Sequence, residues 1–168
     1  MEDHPTGRPC GASRTVMTQL VFPSDTNHHG TMFGGKVMEY IDKVAAIAGM
    51  RHARMQIVTA SSDSLDFLAP IRLGDIIQLE AFVTWTHKSS MEVFVKVEAE
   101  QVASGERKTS VTAFLTVVAL DEAGRPSPVP AAVPESGEER RLHAAAEERY
   151  RLRMKRKKDR QNESQMLK

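Results

Sequence analysis

Cysteine is almost missing from this chain, Cys10 being the single one among 168 residues. An intrachain disulfide and a metal site built on thiolates are therefore excluded, and a reducing compartment is permitted. Aromatic residues are scarce at 5%, and the basic C-terminal stretch is not interleaved with them as a nucleic-acid groove would be. No apolar run approaches the roughly 18 residues needed to cross a bilayer. The start, MEDHPTGRPCGASR, also lacks the apolar core of a secretory signal. The expectation is a cytoplasmic protein with neither membrane nor nucleic acid as partner.

What is present suffices for one domain. A content of 40% hydrophobic and 27% charged residues gives a chain of this length one real core and not two. The net charge of +1 conceals a gradient, because every charged residue from Arg149 to Arg160 except Asp159 is Lys or Arg.

Residues 1–13 are polar, with two prolines and two glycines, and are expected to be a disordered leader. Residues 14–123 form the expected domain. A first strand over Arg14 to Phe22 stops at Pro23, and the turn-rich run PSDTNHHGTMFGG leads into KVMEYIDKVAAIAGMRHA. At about 100° per residue, Val37, Met38, Ile41, Val44, Ala45 and Ala48 share one stripe of a helix, opposite Lys36, Glu39 and Lys43. Asp42 falls at the border of that stripe. Four extended stretches follow: Gln56 to Phe67, Asp75 to Thr86, Met91 to Val102 and Lys108 to Asp121. In the second, Ile77, Leu79, Ala81, Val83 and Trp85 alternate with Gln78, Glu80 and Thr84, the pattern of a half-buried antiparallel strand. THKSS and Ser104-Gly105-Glu106 are hairpin turns.

The order β-α-β-β-β-β predicts an α+β hot-dog fold, one antiparallel sheet of about five strands wrapped around one long helix. No internal repeat is visible, so a second copy of the unit has to come from a homodimer. Residues 124–137, with four prolines, read as a surface linker. Residues 138–168 read as a basic C-terminal helix or tail with a thin apolar stripe.

The chemistry concentrates between Pro23 and Asp42. Bare amides at a helix start donate to developing negative charge, and glycine lets a carbonyl approach them, which makes Gly34 and Gly35 candidates for an oxyanion hole. A partly desolvated carboxylate at the stripe's edge makes Asp42 a base for water, or alternatively a nucleophile; its plain alternative is a surface ion pair. Asn27 is equally readable as a turn residue bonding its own backbone. His28 and His29 do not suggest a metal, because adjacent side chains diverge and no further ligand follows at zinc-like spacing. No metal or cofactor is expected. Phe33, Met38 and Phe67 are candidates to line an apolar channel beside these residues, each with a core reading beside it.

Six motifs in order, PSDTN, GTMFGG, KVMEYID, VTASSDSLDF, PIRLGD and KSSMEV, resemble the acyl-CoA thioesterases of the hot-dog superfamily. The likeness runs from about Met17 to Asp121, and is strongest to short bacterial acyl-CoA hydrolases and single domains of the brain-type cytosolic enzyme. The resemblance implies hydrolysis of acyl-CoA to fatty acid and coenzyme A, with Asp42 as the catalytic carboxylate. It implies Asn27 assisting from the partner protomer, and a hexamer built as a trimer of dimers. It places Lys88, Ser89 and Ser90 near the nucleotide or pantetheine of coenzyme A, and puts Thr59 and Asp63 in a motif that supports the site. The basic stretch Arg153 to Lys158 either reaches phosphates or is a solvated helix end. Two rival readings stand beside this one. An acyl-CoA sensor that binds without cleaving would need a reading module that the first 13 residues cannot form. A hot-dog hydratase would need a histidine and an acid paired for proton transfer, and His52 lies far along the helix.

Overall fold

A computed structural model describes residues 6–166 of the chain. The five leading residues assigned to a disordered leader lie outside the described residues. From Thr6 onward the expectation of disorder does not hold: strand β1 (Arg8–Pro9) and a short 3-10 helix (Cys10–Ser13) precede β2 (Thr15–Leu20). The physical reason is that Ser13 is a buried connector. Its hydroxyl donates to the Cys10 carbonyl at 2.6 Å and accepts from the Val83 amide at 2.8 Å, which ties the segment to the main sheet.

The central helix α1 (Gly34–Ala53) is followed by β3 (Gln56–Phe67), β4 (Ile76–His87), β5 (Ser90–Glu100) and β6 (Arg107–Leu120). These strands and β2 form one antiparallel sheet in the order β2-β4-β5-β6-β3. It is the hot-dog arrangement the element order predicts. The helix buries Val37, Ile41, Val44, Ala45 and Ala48 against the inner sheet residues Ile77, Leu79, Val93, Val95 and Val117. Each such aliphatic side chain contributes about 1.5–3 kcal/mol when fully buried. Met38, expected on that stripe, is instead 46% exposed; one residue past Val37, it is turned about 100° from the line that meets the sheet.

Outer-face residues are also buried at one end of the sheet, which simple alternation does not predict. Phe82, Thr84 and Glu92 are almost inaccessible, because the C-terminal segment folds back over them. The stretch expected as a linker carries β7 (Ala132–Val133), which pairs in parallel with β1. Val129, Pro130 and Ala132 are buried within it. Helices α2 (Gly137–Ala144) and α3 (Ala146–Met166) follow. Having few apolar residues, they dock through charge. Arg149 makes a two-pronged pair with Glu92 at 2.7 and 2.9 Å and lies 4.2 Å from the Phe114 ring centre. Glu139 accepts from the amides of Glu135 and Ser136 and from Arg14.

Candidate active site

Helix α1 opens without a side-chain cap. Phe33 stands at the N-cap with φ −59° and ψ 133°, and its carbonyl accepts from the amides of Lys36 and Val37. Among the described residues no acceptor meets the amides of Gly34 or Gly35. A Cβ at Gly35 would touch nothing within 4 Å, and one at Gly34 would lie 3.3 Å from the Phe67 ring. The amides therefore border open space beside Phe67. That ring, with Met32, Gly34, Val37, Leu68 and Ile71, lines a cavity of about 410 Å3. Phe67 is 55% exposed. Phe33 and Met38 are exposed as well and do not line this cavity, so none of the three belongs to the core.

Two turns into α1, Asp42 accepts a hydrogen bond at 2.7 Å from the hydroxyl of Thr59 on β3. Its other oxygen has no partner among the described residues. The plain reading as a surface ion pair does not hold, because the nearby lysines are taken: Glu39 holds Lys36 at 3.1 Å and Lys43 at 2.6 Å. Hydrogen bonds from Lys43 and Lys36 keep Glu39 below the ordinary carboxylate range. The expected desolvation of Asp42 is not found in the single chain, where the residue is exposed. The reason lies in the topology: β3 is an edge strand, so among the described residues no further strand pairs beyond Thr59.

Position along the helix sets a further limit. Gly34 and Gly35 precede Asp42 by eight and seven residues, or about 10–12 Å at 1.5 Å per residue. One thioester carbonyl cannot touch both within one chain. Convergence of acid and amides on one carbon requires two chains.

Asn27 uses its side chain on its own loop. Its Oδ1 accepts from the amides of His29 at 2.9 Å and Thr31 at 3.3 Å, and its Nδ2 donates to the Thr31 hydroxyl. His28 and His29, expected to diverge, instead have ring centres 3.8 Å apart. Cys10 is no nucleophile, since burial and the nearby Glu139 charge push its thiol up to about 12. His52 is fully buried, with Nε2 against the Pro130 carbonyl at 3.0 Å. It offers no proton-shuttling partner to Asp42.

Lys88, Ser89 and Ser90 occupy the β4–β5 turn, with Lys88 at φ +50°. The carbonyls of Lys88 and Ser89 accept from the amides of Val129 and Ala119. Ser90 lies on the outer face of the sheet together with Thr116 and Val118. Thr59, in register with inward-facing Val117, lies on the inner face. Ser90 thus lies on the face of the sheet opposite Thr59, the residue that holds Asp42. Asp63 is likewise turned away. It is skipped in the β3–β6 register, between Ser62↔Leu115 and Ser64↔Phe114, and such a bulge re-aims a side chain. Its carboxylate takes the hydroxyls of Ser61 at 2.7 Å and Thr116 at 2.6 Å and the Arg153 guanidinium at 3.4 Å.

Comparison with known proteins bears on what this arrangement is. Residues 29–106 match the family model described as the thioesterase superfamily. An uncharacterized acyl-CoA thioester hydrolase of Bacillus subtilis is 54% identical over 91% of this chain and 89% of its own length. The chain belongs to the thioesterase superfamily. Among solved structures, an acyl-CoA hydrolase of Staphylococcus aureus, in complex with butyryl coenzyme A, coenzyme A and coenzyme A disulfide, superposes with a TM-score of 0.91. It is 41% identical, over 95% of this chain and 98% of that one. An apo-hexameric acyl-CoA thioesterase gives 0.88 at 49% identity, over 90% and 97%. The mouse cytosolic acyl coenzyme A thioester hydrolase is 39% identical over 91% of this chain, which spans 40% of that longer protein.

In this thioesterase the sequence motifs singled out Gly34, Gly35, Asp42 and Thr59, and the fold presents all four at the rim of one exposed edge. They missed the outer network of Asp63, Thr116 and Arg153. Its one signal is the pair Arg149 and Arg153, one helical turn apart, which meet the strand acids Glu92 and Asp63.

Proposed function

We propose that the protein hydrolyses acyl-coenzyme A to a free fatty acid and coenzyme A, as a homo-oligomer whose active sites form between two protomers. The observation that carries this reading is Asp42, held through one oxygen by Thr59 and free at the other, on the uncovered edge of the fold. The free oxygen takes a proton from water, the hydroxide adds to the thioester carbon, and the oxyanion meets the unpaired amides of Gly34 and Gly35 from the other protomer. Collapse expels the coenzyme A thiolate, which takes up a proton. Asn27, on the loop before those glycines, belongs to the protomer that supplies the amides. A second chain over the edge removes Asp42 from water, which strengthens it as a base. The apolar cavity beside Gly34, with Phe67 on its wall, receives the acyl chain.

The hexameric relatives support a hexamer here. The cytosolic relatives, and the lack of any helix among the described residues long and apolar enough to cross a membrane, support a cytoplasmic location. The burial of His52, away from Asp42 and with Nε2 held by the Pro130 carbonyl, speaks against a hydratase. The test is thiol release from a panel of acyl-CoA chain lengths. The native protein cleaves one or more of them, and Asp42→Asn retains coenzyme A binding without cleavage. A native protein that binds but never cleaves establishes the sensor instead.

A further inference from the structure

Strand β3 breaks its own alternation next to the residue that holds the catalytic acid. Thr59 pairs with Val117 and Ser61 with Thr116, so Ala60 is skipped in the β3–β6 register, as Asp63 is after Ser62. In an unbroken strand Thr59 and Ser61 share one face. Here the bulge at Ala60 divides them: Thr59 turns inward to Asp42, and Ser61 turns outward to Asp63. A slip of one residue at Ala60 turns the Thr59 hydroxyl to the other face, away from Asp42. The bulge therefore decides whether the acid keeps its hydrogen bond.

Little within the sheet secures that bulge. Among the described residues β3 has β6 as its one neighbouring strand, and no residue of β3 is buried, so its hydrophobic pattern fixes the register weakly. A tie from outside the sheet fixes it instead. Arg153 on α3 donates to the Asp63 carboxylate at 3.4 Å and to the Thr116 hydroxyl, bridging both strands. Thr116 itself donates to Asp63 at 2.6 Å. Arg156 donates to the Asp63 main-chain carbonyl at 3.1 Å, a group that a bulge leaves without a ladder partner. The side chains of Arg153 and Asp63 are 15% and 10% exposed, so salt screens the pair little. The helix that presents Arg153 is held in turn by Arg149 on Glu92 and by Tyr150 against the rings of Trp85 and His87.

We propose, resting on the thioesterase reading above, that Arg153 is a positioning residue of the reaction: through Asp63 it holds the bulged register of β3 and so keeps the Thr59 hydroxyl on Asp42. It acts from the outer face of the sheet, through the strand rather than on the thioester. The C-terminal helix is thereby part of the catalytic apparatus of a site on the opposite face.

The experiment is a double-mutant cycle in the full-length protein, with Arg153→Ala and Thr59→Ala made singly and together, and with butyryl-CoA and butyryl-pantetheine as substrates. Arg153→Ala lowers kcat by up to about tenfold, the loss expected for Thr59→Ala itself. It does so on both substrates, which places the loss at the thioester. In the Thr59→Ala background Arg153→Ala causes no further fall, because two residues that act through one hydrogen bond are not additive. An unchanged kcat, or the same fall with Thr59 absent as with it present, overturns the proposal. Ser61→Ala, which cuts the same tie and leaves the ion pair intact, decides by the same comparison should Arg153→Ala not fold. Amide hydrogen exchange gives a readout independent of activity: residues 57–65 exchange faster in Arg153→Ala while residues 91–99 of β5 do not change. If wild type cleaves neither thioester, the thioesterase reading fails, and exchange alone decides the tie; unchanged exchange over residues 57–65 refutes it.

Discussion

Thr59 and Asp42 make the shortest statement of the chemistry at the scale of single residues, because one hydroxyl fixes which carboxylate oxygen is left for water. Asp42→Asn keeps an acceptor for Thr59 and removes the base, so kcat falls by about 10²–10⁴-fold while the thermal midpoint stays near wild type. Thr59→Ala loses a hydrogen bond to a charged group, lowering kcat by about tenfold with KM little changed, and Thr59→Ser restores it. Steady-state kinetics on a single acyl-CoA check both. His52 supplies a test of stability rather than activity. Burial holds the ring below the ordinary histidine range, opposed by the Pro130 carbonyl and assisted by the Arg8 charge, and its Nδ1 has no partner. The unfolded chain therefore takes up the proton first on acidification. The His52 contribution to stability is full above about pH 6.5 and is lost below it until the lowered folded value is passed. Urea titrations across that range show this slope in wild type and a shallower one in His52→Gln.

Elements were legible in the sequence wherever one face alone is buried. The 3.6-residue stripe of α1 and the period of two in β4 and β5 gave their existence and direction, because the inner face of the sheet meets only the helix. Legibility failed where a second layer covers the outer face. Thr84 and Glu92 look like solvent-facing positions of alternating strands, yet α2 and α3 bury both, and a thin apolar stripe concealed helices that dock through Arg149 and Arg153. The site followed the same division. Gly34 and Gly35 were readable from a helix start and Asp42 through the family's motif rather than its place on the stripe, whereas the exposure of Asp42 depends on β3 being an edge, which no local pattern encodes. Two predictions belong here. Arg149→Ala leaves Glu92 buried without its partner and destabilises the fold by about 3 kcal/mol in urea unfolding. Gly49→Ala puts a methyl 2.9 Å from a Val117 methyl across the helix–sheet contact and costs about 1–3 kcal/mol by overpacking.

The whole molecule is where the parts become an enzyme, since a single chain holds its acid about 10–12 Å along the helix from its own donors. In the proposed site a twofold pairing would supply each carbonyl with Asp42 from one protomer and with Gly34 and Gly35 from the other, and repeat the arrangement at a second site. Gly35→Pro removes one donor at a position where the first helical turn tolerates proline and where added atoms meet nothing; its activity falls by about 10²–10³-fold. The decisive measurement mixes this variant with Asp42→Asn, unfolding and refolding them together in equal amounts. Half of the dimers are then mixed, each with one site that combines an intact Asp42 and an intact Gly35, so about a quarter of wild-type activity returns. If the refolded mixture is no more active than the average of the two variants alone, acid and amides act within one chain and the two-chain site is wrong.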